Sequence, residues 1–366
     1  MNISSRIGPP PIMIVLATLL PSSLSPMAAR PRMRFYGAIG NPEESMRFIT
    51  IVSALLLSLG AAAAQDYPTR PITVLVPYAA GGPTDTIARL TAAGMSKSLG
   101  QQIIVENATG AGGTIGTTRA ARAQPDGYTL LVHHVGISTA ATLYRNLSYD
   151  TKTAFAPIGL VTNAPMTIIA RPDFPADTLK ELVAYAQQQG DKLTYANAGL
   201  GAASHLCGML FMTAIQKQLT TIPYKGNGPI MNDLLGRQID LTCDQATNTT
   251  GPIAAKQVKA YAVTTKERLK SLPDLPTADE AGLKGFELGV WHGLYAPKGT
   301  PPAIVQKLTA ALQAALRDPV LIARFNDINT EPVPQDKATP EALGAMLASE
   351  VDRWAPIIKA AGQYAD

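Results

Sequence analysis

Residues 72–99 read Ile-Thr-Val-Leu-Val-Pro-Tyr-Ala-Ala-Gly-Gly-Pro-Thr-Asp-Thr-Ile-Ala-Arg-Leu-Thr-Ala-Ala-Gly-Met-Ser-Lys-Ser-Leu. The start, Ile72 to Val76, is an apolar run of the kind buried on both faces of a sheet. It ends at Pro77, a turn with two glycines runs from Tyr78 to Asp85, and Thr86 to Leu99 carries helical spacing. Strand, glycine turn and helix in that order make one half of a parallel βαβ unit.

The same order recurs along the chain. A strand at Ile103 to Glu106 leads into Gly110-Ala-Gly-Gly-Thr-Ile-Gly116 and a helix through Ala123, and Tyr128 to Val132 is the next strand. Farther on, Leu179 to Gln189 is an amphipathic helix and Leu193 to Ala196 a short strand. Asn197-Ala-Gly-Leu-Gly201 then precedes a helix from Ala202 to Gln216. Ile230 to Gly236 reads as a helix, and Ile239 to Cys243 and Val258 to Val263 as strands. Pro301 to Leu316 is a helix with an apolar stripe at Ile304, Val305, Leu308, Leu312 and Leu316. This alternation predicts an α/β protein with a largely parallel sheet covered by helices.

A length of 366 residues leaves room for two domains, because single cores stop growing at roughly 250–300 residues. With 46% hydrophobic and 16% charged residues the chain has no disordered or collagen-like bias. The net charge of +4 comes without a Lys/Arg run, so no nucleic-acid partner is expected. From Met46 the sequence has a short cationic start at Arg47, an apolar core from Phe48 to Leu59 and small residues at Ala62-Ala63-Ala64. Those are the parts of a secretory signal peptide, and they predict export to the periplasm. The apolar run is short of the roughly 20 residues a spanning helix needs. Residues 1–64 are therefore set apart as an upstream extension and signal peptide, with Met46 as the expected initiator. The two cysteines, Cys207 and Cys243, fit one disulfide in an exported protein; two buried thiols are the alternative.

Three glycine loops that each join a strand to a helix carry the chemistry. First-turn N–H groups are unpaired and partly positive, and glycine lets an anion approach them. In α/β sheets such loops lie where ligands bind, at the carboxyl ends of strands. Tight turning and helix packing are the plainer reasons for the same glycines. Thr84 and Asp85 sit where a helix N-cap is expected, and Asp85 could reach an anion only through a water. The dinucleotide reading of Gly110 to Gly116 fails, because the strand ending at His134 lacks the acidic residue that would hold a ribose. His133 and His134, adjacent on a strand, are expected on opposite faces. His205, in the first turn after a glycine loop and beside Ser204, is open between ligand contact and fold contact. His292 beside Trp291 reads as packing. There is no His-Glu-x-x-His, Gly-x-Ser-x-Gly or P-loop.

With these residues in view, the chain resembles the Bug family, the solute-binding components of tripartite tricarboxylate transporters. The resemblance covers residues 66–366. It is carried by Pro77-Tyr-Ala-Ala-Gly-Gly-Pro-Thr-Asp85, by Asn107 with Gly110 to Gly116, and by Pro125-Asp-Gly-Tyr-Thr-Leu130. Leu147-Ser-Tyr-Asp150, Ile222-Pro-Tyr-Lys-Gly226, Leu272-Pro-Asp-Leu-Pro-Thr277 with Glu280-Ala-Gly282, Gly285-Phe-Glu287, Trp291-His-Gly-Leu-Tyr-Ala-Pro297 and Gly299-Thr-Pro301 continue it.

The resemblance implies a type II periplasmic-binding-protein fold, two α/β domains with a ligand cleft between them. Domain 1 would take residues 66–168 plus 292–366, and domain 2 residues 169–291. It further implies a monomer without catalytic activity or cofactor that delivers a small carboxylate to membrane transporter subunits. The expected ligand contacts are Tyr78, Ala80, Gly81, Gly82, Thr84 and Asp85 on the first loop and Gly112, Gly113 and Thr114 on the second. Thr139, then Asn197, Gly199, Ala202, Ser204 and His205 on the third loop, and Asp244 complete the set.

Two departures bear on the ligand: Ala202 stands where the family has a serine, and Ala108 where it has a basic residue. Cys207 and Cys243 with the segment from Asp244 to Thr250 resemble a subgroup that carries a cysteine pair, so Asp244 through Thr249 are expected to shape ligand choice. A ligand-presenting subunit for a membrane sensor kinase is an alternative function. A secreted enzyme acting on a carboxylate is another, and it would need a nucleophile–base pair in the cleft.

Overall fold

The computed structural model describes residues 67–362 and Tyr364. The signal-peptide reading, with the extension before it, falls outside the described residues.

Strand β1 (Ile72–Val76) buries Ile72, Val74, Leu75 and Val76 because helices cover both of its faces. Helix α1 (Pro83–Leu99) starts three residues before Thr86, where helical side-chain spacing was expected to begin. Pro83 sits at the first helical position, where its fixed φ suits the helix and its missing N–H costs nothing. Gly100 ends the helix in the left-handed conformation, φ 65°. Strand β2 (Ile103–Asn107), helix α2 (Thr114–Ala121), strand β3 (Thr129–His134) and helix α3 (Gly136–Leu143) follow. The next strand, β4 (Phe155–Ala170), is 16 residues long.

Helix α4 (Leu179–Gln189) opens on a capping box. Thr178 accepts the N–H of Glu181, and the Glu181 carboxylate reaches back to the Thr178 N–H. After it come β5 (Thr194–Asn197), α5 (Ala203–Ala214), β6 (Thr220–Pro223) and α6 (Asn227–Leu235). Then come β7 (Leu241–Gln245), α7 (Ala246–Ala254), β8 (Lys259–Val263) and β9 (Gly289–Pro297). Helices α8 (Pro302–Arg317), α9 (Pro319–Asp327) and α10 (Pro340–Ala361) close the chain.

The strands hydrogen-bond in the order β2-β1-β3-β9-β4-β7-β5-β6, with β8 also on β4. Pairing is parallel within β2-β1-β3 and within β7-β5-β6, as the βα alternation predicts. Elsewhere the expectation of a parallel sheet is corrected. The pairs β3–β9, β4–β9, β4–β7 and β4–β8 are all antiparallel. The two long strands carry the chain between the two parallel halves in opposite directions, and so they cannot both run with either half. One lobe is built on β2-β1-β3, the other on β7-β5-β6, and β4 with β9 runs through both. α1 packs on α8 in the first lobe, burying Ile87, Ala92 and Met95 against Leu308, Ala311, Leu312 and Ala315. In the second lobe α4 and α5 bury Leu179, Leu182, Leu206, Phe211 and Met212.

Cys207 on α5 and Cys243 on β7 are bridged, closing a loop of 36 residues inside the second lobe. Chain entropy values such a loop at about 4 kcal/mol, less any strain. Replacing both cysteines by alanine is expected to lower unfolding free energy by about 2–4 kcal/mol. Urea titration of the two proteins checks this, and a change within error would show that the bridge adds nothing.

Candidate functional site

The two lobes face each other across a cavity of about 10 Å³, lined by Tyr78, Gly82, Pro83, Thr84, His134, Met166, Ala203, Ser204, Asn227 and Gln245. Four βα connections deliver a helix start to this place, because the parallel strands of each lobe end their carboxyl edges on one side. Gly82 to Thr84 open α1, Ala203 and Ser204 open α5, Asn227 opens α6, and Gln245 is the N-cap of α7. None of these four helices has a side-chain cap, nor have α2, α3 and α8, whereas α4, α9 and α10 are capped by Thr178, Asp318 and Thr339. The first-turn N–H groups of the four have no side-chain cap, and the dipoles of helices that start at the cavity favour negative charge there. No Lys or Arg is among the described residues that line it. The arrangement suits an anion held by backbone amides.

Side chains behind the helix ends hold them in place. The buried Asp85 carboxylate accepts from the Gly81 N–H at 3.0 Å, Asn107 Nδ2 at 2.9 Å and Arg89 Nε at 2.9 Å. Burial raises its pKa, but the bonds from Arg89, Gly81 and Asn107 outweigh that and hold it below its ordinary value. Asp85 thus fixes the first loop from behind. His134 Nδ1 accepts the Gly136 N–H at 2.9 Å, which puts the proton of the neutral ring on Nε2 and makes that atom a donor. Its ring stacks on Tyr78 with centroids 4.5 Å apart. Burial keeps the imidazoles neutral, with His133 and His292 pushed down to about 3. His292 lies 3.3 Å from Thr84 Oγ1 and so supports the start of α1. The rings of His133 and His134 are 5.2 Å apart, nearer than opposite strand faces predict. The His134 N–H donates to His133 Nδ1, folding that ring back along its own strand end.

The remaining predicted residues fall in several places. Tyr78, Gly82, Thr84 and Ser204 meet at the cavity, while Ala80 and Gly81 lie on the exposed side of the first loop. Gly112, Thr139 and Gly199 belong to a seam where the lobes touch, while Gly113 packs on Tyr78 and Pro77 of its own lobe and the buried Ala202 donates its N–H to the Gly199 carbonyl. At the seam Thr139 Oγ1 donates to the Gly201 carbonyl at 3.0 Å, Tyr144 Oη to the Leu200 carbonyl at 3.0 Å, and the Ala79 N–H to the Lys225 carbonyl at 2.9 Å. A Cβ on Gly112, at φ 59°, would lie 2.0 Å from the Leu200 carbonyl oxygen, and one on Gly226 would lie 2.6 Å from the Ala79 nitrogen. Glycine at both positions allows backbone to meet backbone across the lobes. Thr114 bonds only its own turn, at Ala111. Asn197 accepts from the Gly199 N–H, and His205 Nδ1 from the Gly201 N–H. Asn197 and His205 line a separate hollow with Leu200, Thr221 and Tyr364.

Gln245, Asn227, Met166 and His134 complete the cavity, and sequence reasoning did not place them together. Gly226-Asn-Gly228 after a strand and before a helix was a fourth loop of the same kind.

The chain matches the tripartite tricarboxylate transporter family receptor over residues 87–363. It belongs to that family. The UPF0065 protein in the TAR-I ttuE–ttuC′ intergenic region of Agrobacterium vitis is 51% identical over 318 residues, 87% of this chain and 92% of that protein. The periplasmic binding protein BugD superposes with a TM-score of 0.80 at 55% identity, over 81% of this chain and 99% of its own. MatC from Rhodopseudomonas palustris, solved with bound malate, gives 0.78 at 41% identity, over 80% of this chain and all of that one (100%). With these receptors the chain shares the type II periplasmic-binding-protein fold expected above, two α/β domains with a cleft between them.

Asp244 stands directly behind the receptor's cavity. It is fully buried and accepts from Asn227 Nδ2, from Asn248 Nδ2 at 2.6 Å and from the Gln245 N–H at 2.7 Å. Burial pushes its pKa from 3.8 up to about 7, and those three bonds hold it back from going higher. The folded protein therefore keeps this proton up to about pH 7, while an unfolded aspartate releases it near 3.8. The Asp244 contribution to stability is full below about pH 4, falls as pH rises to about 7, and is level above. In Asp244→Asn that decline is expected to vanish. Denaturant titrations of both proteins at pH 4.5 and 7.5 check it, and parallel pH profiles would contradict it.

Proposed function

We propose that this receptor is an exported solute-binding protein that closes its lobes over a small carboxylate and delivers it to a tripartite tricarboxylate-type membrane transporter. The observation that carries the reading is the meeting of four helix N-termini, none with a side-chain cap, at one interdomain cavity. A carboxylate would accept from N–H groups of the first turns of α1 and α5, with Ser204 and the His134 Nε2–H as side-chain partners. The malate bound in MatC supports a dicarboxylate as the ligand class. Export is supported by the cationic, apolar and small-residue order from Met46 to Ala64.

The moving bodies in this proposal are residues 66–168 with 292–366, and residues 169–291. A cavity of about 10 Å³ holds roughly one water, far less than a four-carbon acid. Entry therefore requires the seam to part, and β4 with β9 would flex as the connection. A ligand that contacts both lobes favours the closed state by its differential affinity. Catalysis has no support in the site. Ser204 Oγ accepts the Ala198 N–H at 2.8 Å, and its neighbour His205 lines a different hollow.

Thermal unfolding of the protein, refolded to strip bound ligand, is to be measured against mono-, di- and tricarboxylates. At 100 times its dissociation constant a true ligand adds about 2.7 kcal/mol, a shift of several degrees. A dicarboxylate is expected to give that shift and to be recovered unchanged. No shift with any acid would defeat the reading, and consumption of the acid would replace it with an enzyme.

A further inference from the structure

The strand β4 changes partners at one point. It pairs with β9 up to Pro165 and with β7 from Met166 on, so the sheet of one lobe gives way to that of the other between these two residues. Successive side chains of a strand leave on opposite faces. Met166 lines the interdomain cavity, whereas Asn163 and Pro165 line a groove of about 570 Å³. Cavity and groove thus lie on opposite faces of the crossover. In the closure motion proposed above, parting the lobes on the cavity face brings them together on the groove face.

Asn329 spans that groove. It follows α9 in the first lobe, and its segment is tied to β4 there. The Val333 N–H donates to the Val161 carbonyl at 3.1 Å, and Thr162 Oγ1 to the Glu331 carbonyl at 2.6 Å. From this anchored place the side chain reaches two elements of the second lobe. Its Nδ2–H donates to Thr250 Oγ1 on α7 at 2.5 Å, and its Oδ1 accepts from Ser271 Oγ in the loop after β8. Both ends of the amide are engaged across the crossover. The Asn329 backbone is left-handed, φ 53°, a conformation asparagine tolerates better than most residues with a side chain. α7 carries the contact to the site, since Gln245 at its start lines the cavity.

We propose that Asn329 is a strut behind the hinge that limits opening of the lobes and so raises ligand affinity without touching the ligand. The proposal rests on the lobe-closure reading and deepens it. The two bonds fit the spacing of the lobes with the seam formed. A tilt about Pro165 and Met166 that widens the cavity drives Asn329 against Ser271 and α7, so the open arrangement cannot keep both bonds in place. They therefore favour the closed state, and a ligand meets a larger competent fraction than it would without them.

Asn329→Gly tests this, because glycine takes φ 53° without strain and removes both bonds. Malate binding to the ligand-stripped wild-type and variant proteins is measured by calorimetry, and lobe opening by small-angle X-ray scattering. Loss of two hydrogen bonds is expected to weaken malate binding about tenfold. Without malate the variant is expected to have the larger radius of gyration, and at saturation the two values should coincide. A merely loosened fold would differ in both conditions, and that result would overturn the proposal, as would equal malate affinities. Should Asn329→Gly fail to fold, Ser271→Ala at an exposed position removes one of the two bonds and should weaken binding about threefold. Unchanged affinity in that variant would also overturn it. If malate binds neither protein, the ligand class is at fault, and the ligand-free scattering decides: identical curves would rule out the strut.

Discussion

The convergence of four helix N-termini on one point between two lobes is the constraint from which the rest of the molecule follows. Parallel strands are joined by helices that all start at the strands' carboxyl edge, and each half of the sheet therefore offers a row of positive helix ends. Facing two such rows at each other, with β4 and β9 as the shared strands, gives a site that attracts an anion without a basic side chain lining it. Such a site does not discriminate strongly among carboxylates, because backbone amides are alike. Discrimination falls to the few side chains at the rim of the helix starts.

The polar groups around the cavity are arranged in depth. Asp85, Asn107 and Arg89 brace the start of α1, while Asp244, Asn227 and Asn248 brace the starts of α6 and α7. The two carboxylates differ in state. Asp85 has a cation beside it and stays ionised, whereas Asp244 has only amide partners and is pushed towards the neutral form. Neither is offered to the cavity, where a negative charge would oppose an anionic ligand. The seam glycines serve a different need. They let carbonyls and N–H groups of the two lobes pair directly where side chains would otherwise collide.

Much of the fold was legible where one local signal dominated. The helix over Leu179–Gln189 was found to the residue because Thr178 and Glu181 form its cap and its apolar face repeats regularly. The long strand β4 was not, because Pro157, Gly159 and Pro165 interrupt its pattern. Its pairing with β9 shifts register between Pro157 and Gly159 and again between Leu160 and Thr162, which lets the strand accommodate those residues. α3 has only eight residues and opens on Gly136, so it lacks the length that makes helical spacing visible. The glycine loops were legible as a class, yet their division into cavity and seam was not. That division depends on which loops face each other across the lobes, and only the sheet order fixes it. His134, Asn227 and Gln245 are far apart in sequence and meet only because the carboxyl end of β3 in one lobe faces those of β6 and β7 in the other.

The central claim, that backbone amides of converging helix starts hold a carboxylate between the lobes, is tested most directly by a crystal structure of the protein with a bound dicarboxylate. The account predicts carboxylate oxygens within about 3 Å of first-turn N–H groups from both lobes, with Ser204 alongside. A carboxylate bound elsewhere, or held chiefly by Lys or Arg side chains, would contradict it.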